Sequence, residues 1–255
     1  MNFTIVTLFP EMQDSLRFGI MGRAINKQLL AVSCINPRDY TEDKNKSVDD
    51  SPFGGGPGMV MMAKPLHQAV LAAKAQRPNA KVIYLSPQGK QFDQALAKKA
   101  AEDSDLIMIA GRYDGIDQRI IDECVDEEWS LGDYVISGGE LAALVMIDAI
   151  ARCVPGVVGD AGSVIDDSFY HGLLKHPQYT RPESYNGWKI PKVLLSGNHR
   201  KIAEWRKKHS LGTTWLKRPD LLEPNVLRLS EEEKILLNEF IAEYNYHRAN
   251  EEKKS

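Results

Sequence analysis

Residues 81–89, Lys-Val-Ile-Tyr-Leu-Ser-Pro-Gln-Gly, and residues 106–117, Leu-Ile-Met-Ile-Ala-Gly-Arg-Tyr-Asp-Gly-Ile-Asp, decide the fold. Each opens with a short apolar run (KVIYL, LIMIA) and stops in a polar turn that carries glycine. Helical spacing fills residues 92–101 between them and residues 116–124 after the second. An apolar run without polar alternation is a strand buried on both faces, and a strand–helix–strand order needs a crossover connection. The two runs therefore read as strands of a parallel sheet. In such sheets ligands gather at the carboxyl ends of the strands, where Ser86-Pro87-Gln88-Gly89 and the turn from Gly111 to Gly115 fall.

The pattern repeats outward from this pair. Residues 3–9 and 30–35 read as strands, and residues 15–28, 66–75 and 140–151 as helices, the last strongly apolar. The class is α/β, a mostly parallel sheet flanked by helices on both faces. Past Pro155 the texture changes. Residues 156–166 (GVVGDAGSVID) are small, acidic and weakly patterned, as a linker is. Beyond them the chain reads as helical, with a short basic helix over 202–209. The capping box Ser230-Glu231-Glu232-Glu233 opens a last helix that runs to about Arg248, and residues 250–255 read as a frayed tail.

The 255 residues are 43% hydrophobic and 26% charged, which supports a core and excludes wholesale disorder. The longest apolar run, residues 141–147, is far short of the ~20 residues a membrane-crossing helix needs. The first residues show no basic stretch and no small-residue cleavage site, so no secretory leader is read. Cys34, Cys124 and Cys153 form no CxxC pair, which argues against a structural zinc site and a disulfide framework. A reducing cytoplasm is the simplest home.

Net charge is −3, but it is unevenly spread. Residues 1–166 hold 16 basic against 23 acidic side chains, and residues 167–255 hold 16 against 12. In residues 175–218 eleven Lys and Arg meet only two acids, Glu183 and Glu204, with Tyr179, Tyr185, Trp188, Trp205 and Trp215 interleaved. A polyanion suits such a window, and aromatics beside cations suit nucleic acid, whose bases stack while its phosphates pair. A solvated basic face over core tryptophans is the plainer alternative.

Three further strings bear on chemistry. Ser51-Pro52-Phe53-Gly54-Gly55-Gly56-Pro57-Gly58-Met59 matches neither GxGxxG nor GxxxxGK, and reads as a functional or interface loop that another chain or ligand can approach closely. Ser196-Gly197-Asn198-His199 invites a hydrolase reading, which fails because such enzymes carry those residues in separate blocks; GxSxG and HExxH are also missing. Residues 129–140 (WSLGDYVISGGE) place a glycine pair before the apolar helix, where main-chain groups would be open to a small ligand. Asp166 and Asp167, taken alone, are a linker pair or a helix cap.

Taken in order, FGGGPGMVM, YLSPQG, AGRYDGID, SLGDYVISGGELAA, ARCVPGVVG, DDSF, GLL, PQYTRPESY, VLLSGNH and WR resemble the bacterial tRNA (guanine-N1)-methyltransferases over residues 3–243. The resemblance implies methylation of guanosine 37 beside the anticodon, supporting reading-frame maintenance. It implies a SPOUT fold, in which the α/β domain ends in a deep trefoil knot that cradles S-adenosylmethionine, and a small, mainly helical tRNA-binding domain. The corresponding parts are a catalytic domain over 1–158, a flexible linker over 159–166 and a tRNA-binding domain over 167–255. A homodimer with shared active sites and no membrane association is implied as well; magnesium is not readable from the sequence. By motif the cofactor pocket takes Tyr84, Leu85, Ser86, Pro87, Gly111, Tyr113, Asp114, Leu131, Gly132, Asp133, Tyr134, Val135, Ile136, Gly138 and Gly139. Asp114 stands where the family usually has Glu, and Lys175-His176 where relatives carry an acid and a cysteine. Asp167 is implied as the base and Arg152 as the cation beside O6, with Lys189, Lys192, Ser196, Gly197, His199, Lys201, Arg206 and Lys207 on the tRNA. The rival readings are a non-catalytic RNA-binding protein on the same fold and an enzyme acting on ribosomal RNA.

Overall fold

The computed structural model describes residues 1–159 and 161–252. The chain divides into two compact units, Met1–Val164 and Ile165–Ser255. In the first, strands β1 (Asn2–Val6) and β2 (Ala31–Ile35) are followed by a small antiparallel pair, β3 (Asp49–Asp50) and β4 (Val60–Met61). Strands β5 (Lys81–Gln91), β6 (Asp105–Ile109) and β7 (Glu127–Ser130) complete a five-stranded sheet of order β2-β1-β6-β5-β7, parallel at every pairing. Its helices are α1 (Gly19–Asn26), α2 (Ala63–Gln76), α3 (Gln94–Ala100), α4 (Gln118–Cys124) and α5 (Gly139–Cys153); α6 (Ala161–Ile165) crosses the boundary between the two units in the sequence.

Two cores explain why the strands are apolar throughout. Side chains alternate across a strand, so Phe3, Ile5, Ile83 and Met108 pack with Leu96 of α3 and Met146, Ile147 and Ile150 of α5 on one face. Val6, Val82, Ile107 and Ile109 pack with Leu66 and Val70 of α2 and Ile120 of α4 on the other. The sheet is thus covered on both faces, as the apolar runs predict. The three cysteines are free thiols, and burial beside Asp14 and Glu11 pushes the Cys34 thiol up to about 11.

The structure corrects several local readings. The strand expected over 3–9 ends at Val6, because the Phe9 amide turns back to the Thr7 hydroxyl at 2.9 Å and Pro10 opens a 3-10 segment, Pro10–Arg17. The helix expected over 15–28 is that segment and then α1, separated by an extended Phe18. The turn expected at Ser86–Gly89 is instead part of β5, which continues to Gln91 with a register break against β7 between Leu85 and Lys90. The acidic residues before 129 belong to β7, the edge strand. The linker carries a turn of helix, α6; its Asp160 lies outside the described residues.

In the second unit, a hairpin of β8 (Ser184–Tyr185) and β9 (Trp188–Lys189) precedes α7 (His199–Lys217) and α8 (Glu231–Glu252). The basic helix expected over 202–209 is far longer. Asn198 caps α7 by accepting from the Lys201 amide at 3.1 Å. The capping box of α8 is formed as read, with the Ser230 amide on Glu233 Oε2 at 2.8 Å and the Glu233 amide on Ser230 Oγ at 3.2 Å. Leu173, Leu211 and Leu236 form the core. Lys207 pairs with Glu233 and Lys208 with Glu239 and Glu243, tying α7 to α8. Of the expected frayed tail, residues 253–255 lie outside the described residues, while α8 continues through Glu252.

Candidate functional site

At the carboxyl ends of β5, β6 and β7 lies a cleft of about 330 Å³. Three backbone segments form it: residues 84–88 on β5, residues 111–115 after β6, and residues 129–139 leading into α5. Of the fifteen residues assigned to a cofactor from the sequence, fourteen line this cleft; Asp133 is outside its lining.

The walls are held from behind by a buried polar network. Arg112 donates through Nε to Glu140 Oε2 at 2.8 Å and through an Nη to the Ser137 carbonyl at 3.1 Å. Thr7 Oγ1 donates to the other Glu140 oxygen at 2.9 Å, and the Arg112 guanidinium lies 4.4 Å from the centre of the Phe9 ring. Glu140 is 3% exposed, so its charge stands in a place where only a paired, fully hydrogen-bonded carboxylate is tolerated. The network ties the ends of β1 and β6 to the start of α5. Beside it the Gly139 amide donates to the Gly111 carbonyl at 2.8 Å. A Cβ on Gly139 would stand 2.7 Å from the Ala110 Cα, so only glycine lets the helix start come this close to the strand end.

Sequence reading missed Arg112 as a wall residue although it lies inside a quoted motif. The signal was Glu140, a lone acid heading an apolar helix, which needs a cation once buried.

The glycine-rich loop 51–59 also belongs to this end of the sheet. Gly58 has a φ of +90°, and the space its Cβ would need is taken by the Asp114 carboxylate. The Asp114 amide donates to the Met59 carbonyl at 2.9 Å. Asp114 thus lines the cleft while its side chain lies against that loop. Tyr113 is in the left-handed region at φ 60°, and burial together with a hydrogen bond to Asp49 raises its phenol above the usual value. The Tyr84 phenol is raised by burial and by nearby Glu128, whose Oε2 is buried without a partner among the described residues.

The other assignments fall elsewhere. Arg152 is in the last turn of α5. Asp167, in the second unit, receives the Lys175 ammonium on Oδ1 at 3.1 Å. The Lys175 amide donates to Ser168 Oγ at 3.0 Å and the Phe169 amide to the Leu173 carbonyl at 2.7 Å, so residues 167–175 form a closed loop. Lys175 is a direct partner of the assigned base. A second cavity of about 250 Å³ is bounded by Asp166, Asp167, Lys175, His176, Arg206 and Lys207 among others. Lys189 lies on β9, Lys192 in a short 3-10 turn, and Ser196, Gly197 and His199 at the start of α7. Lys201 and Arg206 are exposed on α7, whereas Lys207 is paired with Glu233 at 2.6 Å. Among the described residues no group of three or more His, Cys, Asp or Glu side chains is gathered to hold a metal ion, and no helix is long and apolar enough to cross a membrane.

A parallel α/β sheet with a glycine-lined cleft at its strand ends defines a small-molecule- or nucleotide-binding class of protein. The chain belongs to the tRNA (Guanine-1)-methyltransferase TrmD family, which matches residues 1–224. It is 54% identical over 242 residues to the tRNA (guanine-N(1)-)-methyltransferase of Photobacterium profundum, covering 94% of this chain and 96% of that one. Against the protein of the same name from Legionella pneumophila it is 54% identical over 246 residues, 96% of this chain and 98% of the other. The family implies S-adenosylmethionine as methyl donor, and the cleft fits it. Its volume is within the range of small-ligand pockets, Leu85, Ile136 and Ala142 offer apolar surface, and Tyr84 and Ser86 offer polar groups.

Proposed function

We propose that the chain methylates N1 of guanosine 37 in tRNA, with S-adenosylmethionine seated in the cleft of the first unit. The observation that carries this is the convergence of fourteen motif-assigned residues on one cleft, in a chain of this family. When bound, S-adenosylmethionine supplies a methyl group on a sulfonium. Tyr84, Ser86 and the 131–139 segment orient it, and the Arg112–Glu140 pair keeps those segments in place.

Guanine N1 carries a proton at neutral pH and is a weak nucleophile. Asp167 is assigned to accept that proton, and Arg152 to face O6, where negative charge builds as the proton leaves. The guanidinium can meet an oxygen with two donors. An ordinary aspartate, with a pKa of roughly 3.9, is a weak base; charge stabilisation at O6 lowers the barrier enough for it to serve. Lys175 holds one Asp167 oxygen and so fixes the direction from which the carboxylate can be approached.

The same reading includes the trefoil knot, a homodimer with shared sites, a tRNA grip in the second unit and a cytoplasmic setting. Support for the knot lies in the path of the chain after β7, which returns from the sheet edge past β5 to the end of β6 before α5 begins. Support for the dimer lies in Leu141 and Val145, one turn apart on α5 and about half exposed, and in the exposed Phe53 of the glycine loop. The test is incubation with methyl-labelled S-adenosylmethionine and unmodified tRNA bearing guanosine at 36 and 37. Label at N1 of guanosine 37 is expected; label elsewhere, or none, overturns the reading.

A further inference from the structure

Five aromatic side chains are interleaved with the cations of residues 175–218, and the structure separates them. Trp205 lies 4.1 Å from the His209 ring centre and also meets His176 and Tyr179, while Trp215 packs edge-on to Tyr244 of α8. Trp205 and Trp215 are packing residues of the second unit, and Tyr179, half exposed, leans on Trp205. Tyr185 and Trp188 are different. They are 61% and 72% exposed and sit directly opposite each other across the β8–β9 hairpin, ring centres 6.1 Å apart.

The hairpin displays the pair with little freedom. Its two turn residues, Asn186 and Gly187, have φ of 51° and 82°, the left-handed pair of a two-residue turn whose twist matches the strands it joins. Cross-strand partners project to the same face, so both rings are presented together at the tip. Three cations, Arg181, Lys189 and Lys192, and one acid, Glu183, flank them, all exposed. Two large rings left in water on a two-residue turn, with three cations against one acid close by in sequence, match what an unpaired nucleotide requires: a flat apolar face for the base and cations for its phosphates.

We infer that Tyr185 and Trp188 form a stacking platform for an unpaired base of the RNA substrate, with Lys189 and Lys192 on the adjoining phosphates. This rests on the proposed tRNA substrate and adds to it the residues that hold a single-stranded part of that RNA. The platform is sequence-tolerant, because every base has a π face.

The experiment uses the full chain and substrate tRNA carrying 2-aminopurine at one unpaired position at a time. Stacking quenches that base, so quenching at one or two positions is expected with the unaltered protein. It should be lost with Trp188→Ala and kept with Trp188→Phe. Affinity for the tRNA should fall about tenfold in Trp188→Ala, with the salt slope unchanged, whereas Lys189→Gln should flatten that slope. KM for tRNA should rise in Trp188→Ala while kcat at saturation stays. No quenching at any unpaired position with the unaltered protein overturns the inference, however the variants fold. So does a Tyr185→Ala, Trp188→Ala double variant that melts normally and binds tRNA as tightly as the unaltered chain. If that variant changes sedimenting mass instead, the pair packs against a second copy and the inference is wrong. Failure of the unaltered protein to methylate guanosine 37 would sink the proposed reaction without touching the quenching result.

Discussion

Asp166 and Asp167 are neighbours of the same charge, yet they are placed differently. Asp166 is exposed, while Asp167 is half-buried and bound to Lys175 within the closed loop 167–175. Asp167→Asn should leave folding and cofactor binding intact and lower single-turnover methyl transfer by about 10²–10⁴-fold, the usual reach of general-base catalysis. Asp166→Asn should lose little. Arg152→Ala should also cripple transfer, and the double variant with Asp167→Asn should be scarcely worse than the worse single one, since both groups are proposed to serve one transition state. Activity retained by both aspartate variants would send the proton to another acceptor. At the rear of the cleft, Glu140→Gln removes the charge that Arg112 needs while keeping the side-chain shape. Breaking a buried pair this way costs about 3 kcal/mol, read as a lower urea midpoint, and the loosened walls should weaken S-adenosylmethionine in calorimetry. Asp167 is where the resemblance was indispensable: two adjacent acids in a small-residue stretch give no physical reason to prefer either.

Elements were legible where one force acts alone. The apolar runs of β5 and β6 admit no other reading, and Ser230 with Glu233 writes its own cap. Legibility failed where tertiary contacts decide. Glu127 and Glu128 form strand β7 because β5 offers them a partner, not because acids favour strands. Helix α7 extends past His209 because Leu211 and Thr214 are buried beneath it, which a window weighted by its basic residues conceals. The cleft was legible because its glycines follow from backbone contact. Gly139→Val should force α5 away from Ala110 and cost both stability and cofactor affinity, checked by thermal unfolding with and without S-adenosylmethionine. A second element-scale prediction concerns the face of α7 toward α8. Burial, then Lys208 and His176, hold the His209 imidazole below its ordinary 6.5, against an opposing pull from Glu243. A proton therefore binds the unfolded chain more readily than the folded one, so stability is full above pH 6.5 and falls as pH drops below it. His209→Gln should flatten that acid limb; an unchanged limb would place the pH dependence in other groups.

At the scale of the whole molecule, charge is divided unevenly between the two units. The acidic excess lies in the unit with the cleft, and the basic excess in the unit whose helices expose Lys201 and Arg206. Lys207 counts less toward a polyanion than sequence suggests, because Glu233 already holds it at 2.6 Å. Lys201→Gln with Arg206→Gln should therefore weaken tRNA binding at low salt and less at high salt, since counterion release drives that part of the affinity; adding Lys207→Gln should chiefly lower the melting temperature by loosening α7 from α8. The cleft unit raises a separate question, because the exposed stripe of α5 carries two large apolar side chains ahead of Asp148 and Arg152. Met146, Ile147 and Ile150 fill the core, yet Leu141 and Val145 on the opposite side are left half exposed and one turn apart. An exposed apolar pair on a helix otherwise packed into the core marks a surface that a partner covers, and a second copy of the chain is the proposed cover. Sedimentation at micromolar concentration should then give twice 28.6 kDa. Leu141→Lys with Val145→Glu should yield monomers that keep their sheet, since neither side chain is in the core. If sites are shared between copies, the monomer should bind S-adenosylmethionine poorly and transfer no methyl group. A monomer at full activity would break the link between dimer and site, and an unaltered chain sedimenting at 28.6 kDa would remove the dimer itself.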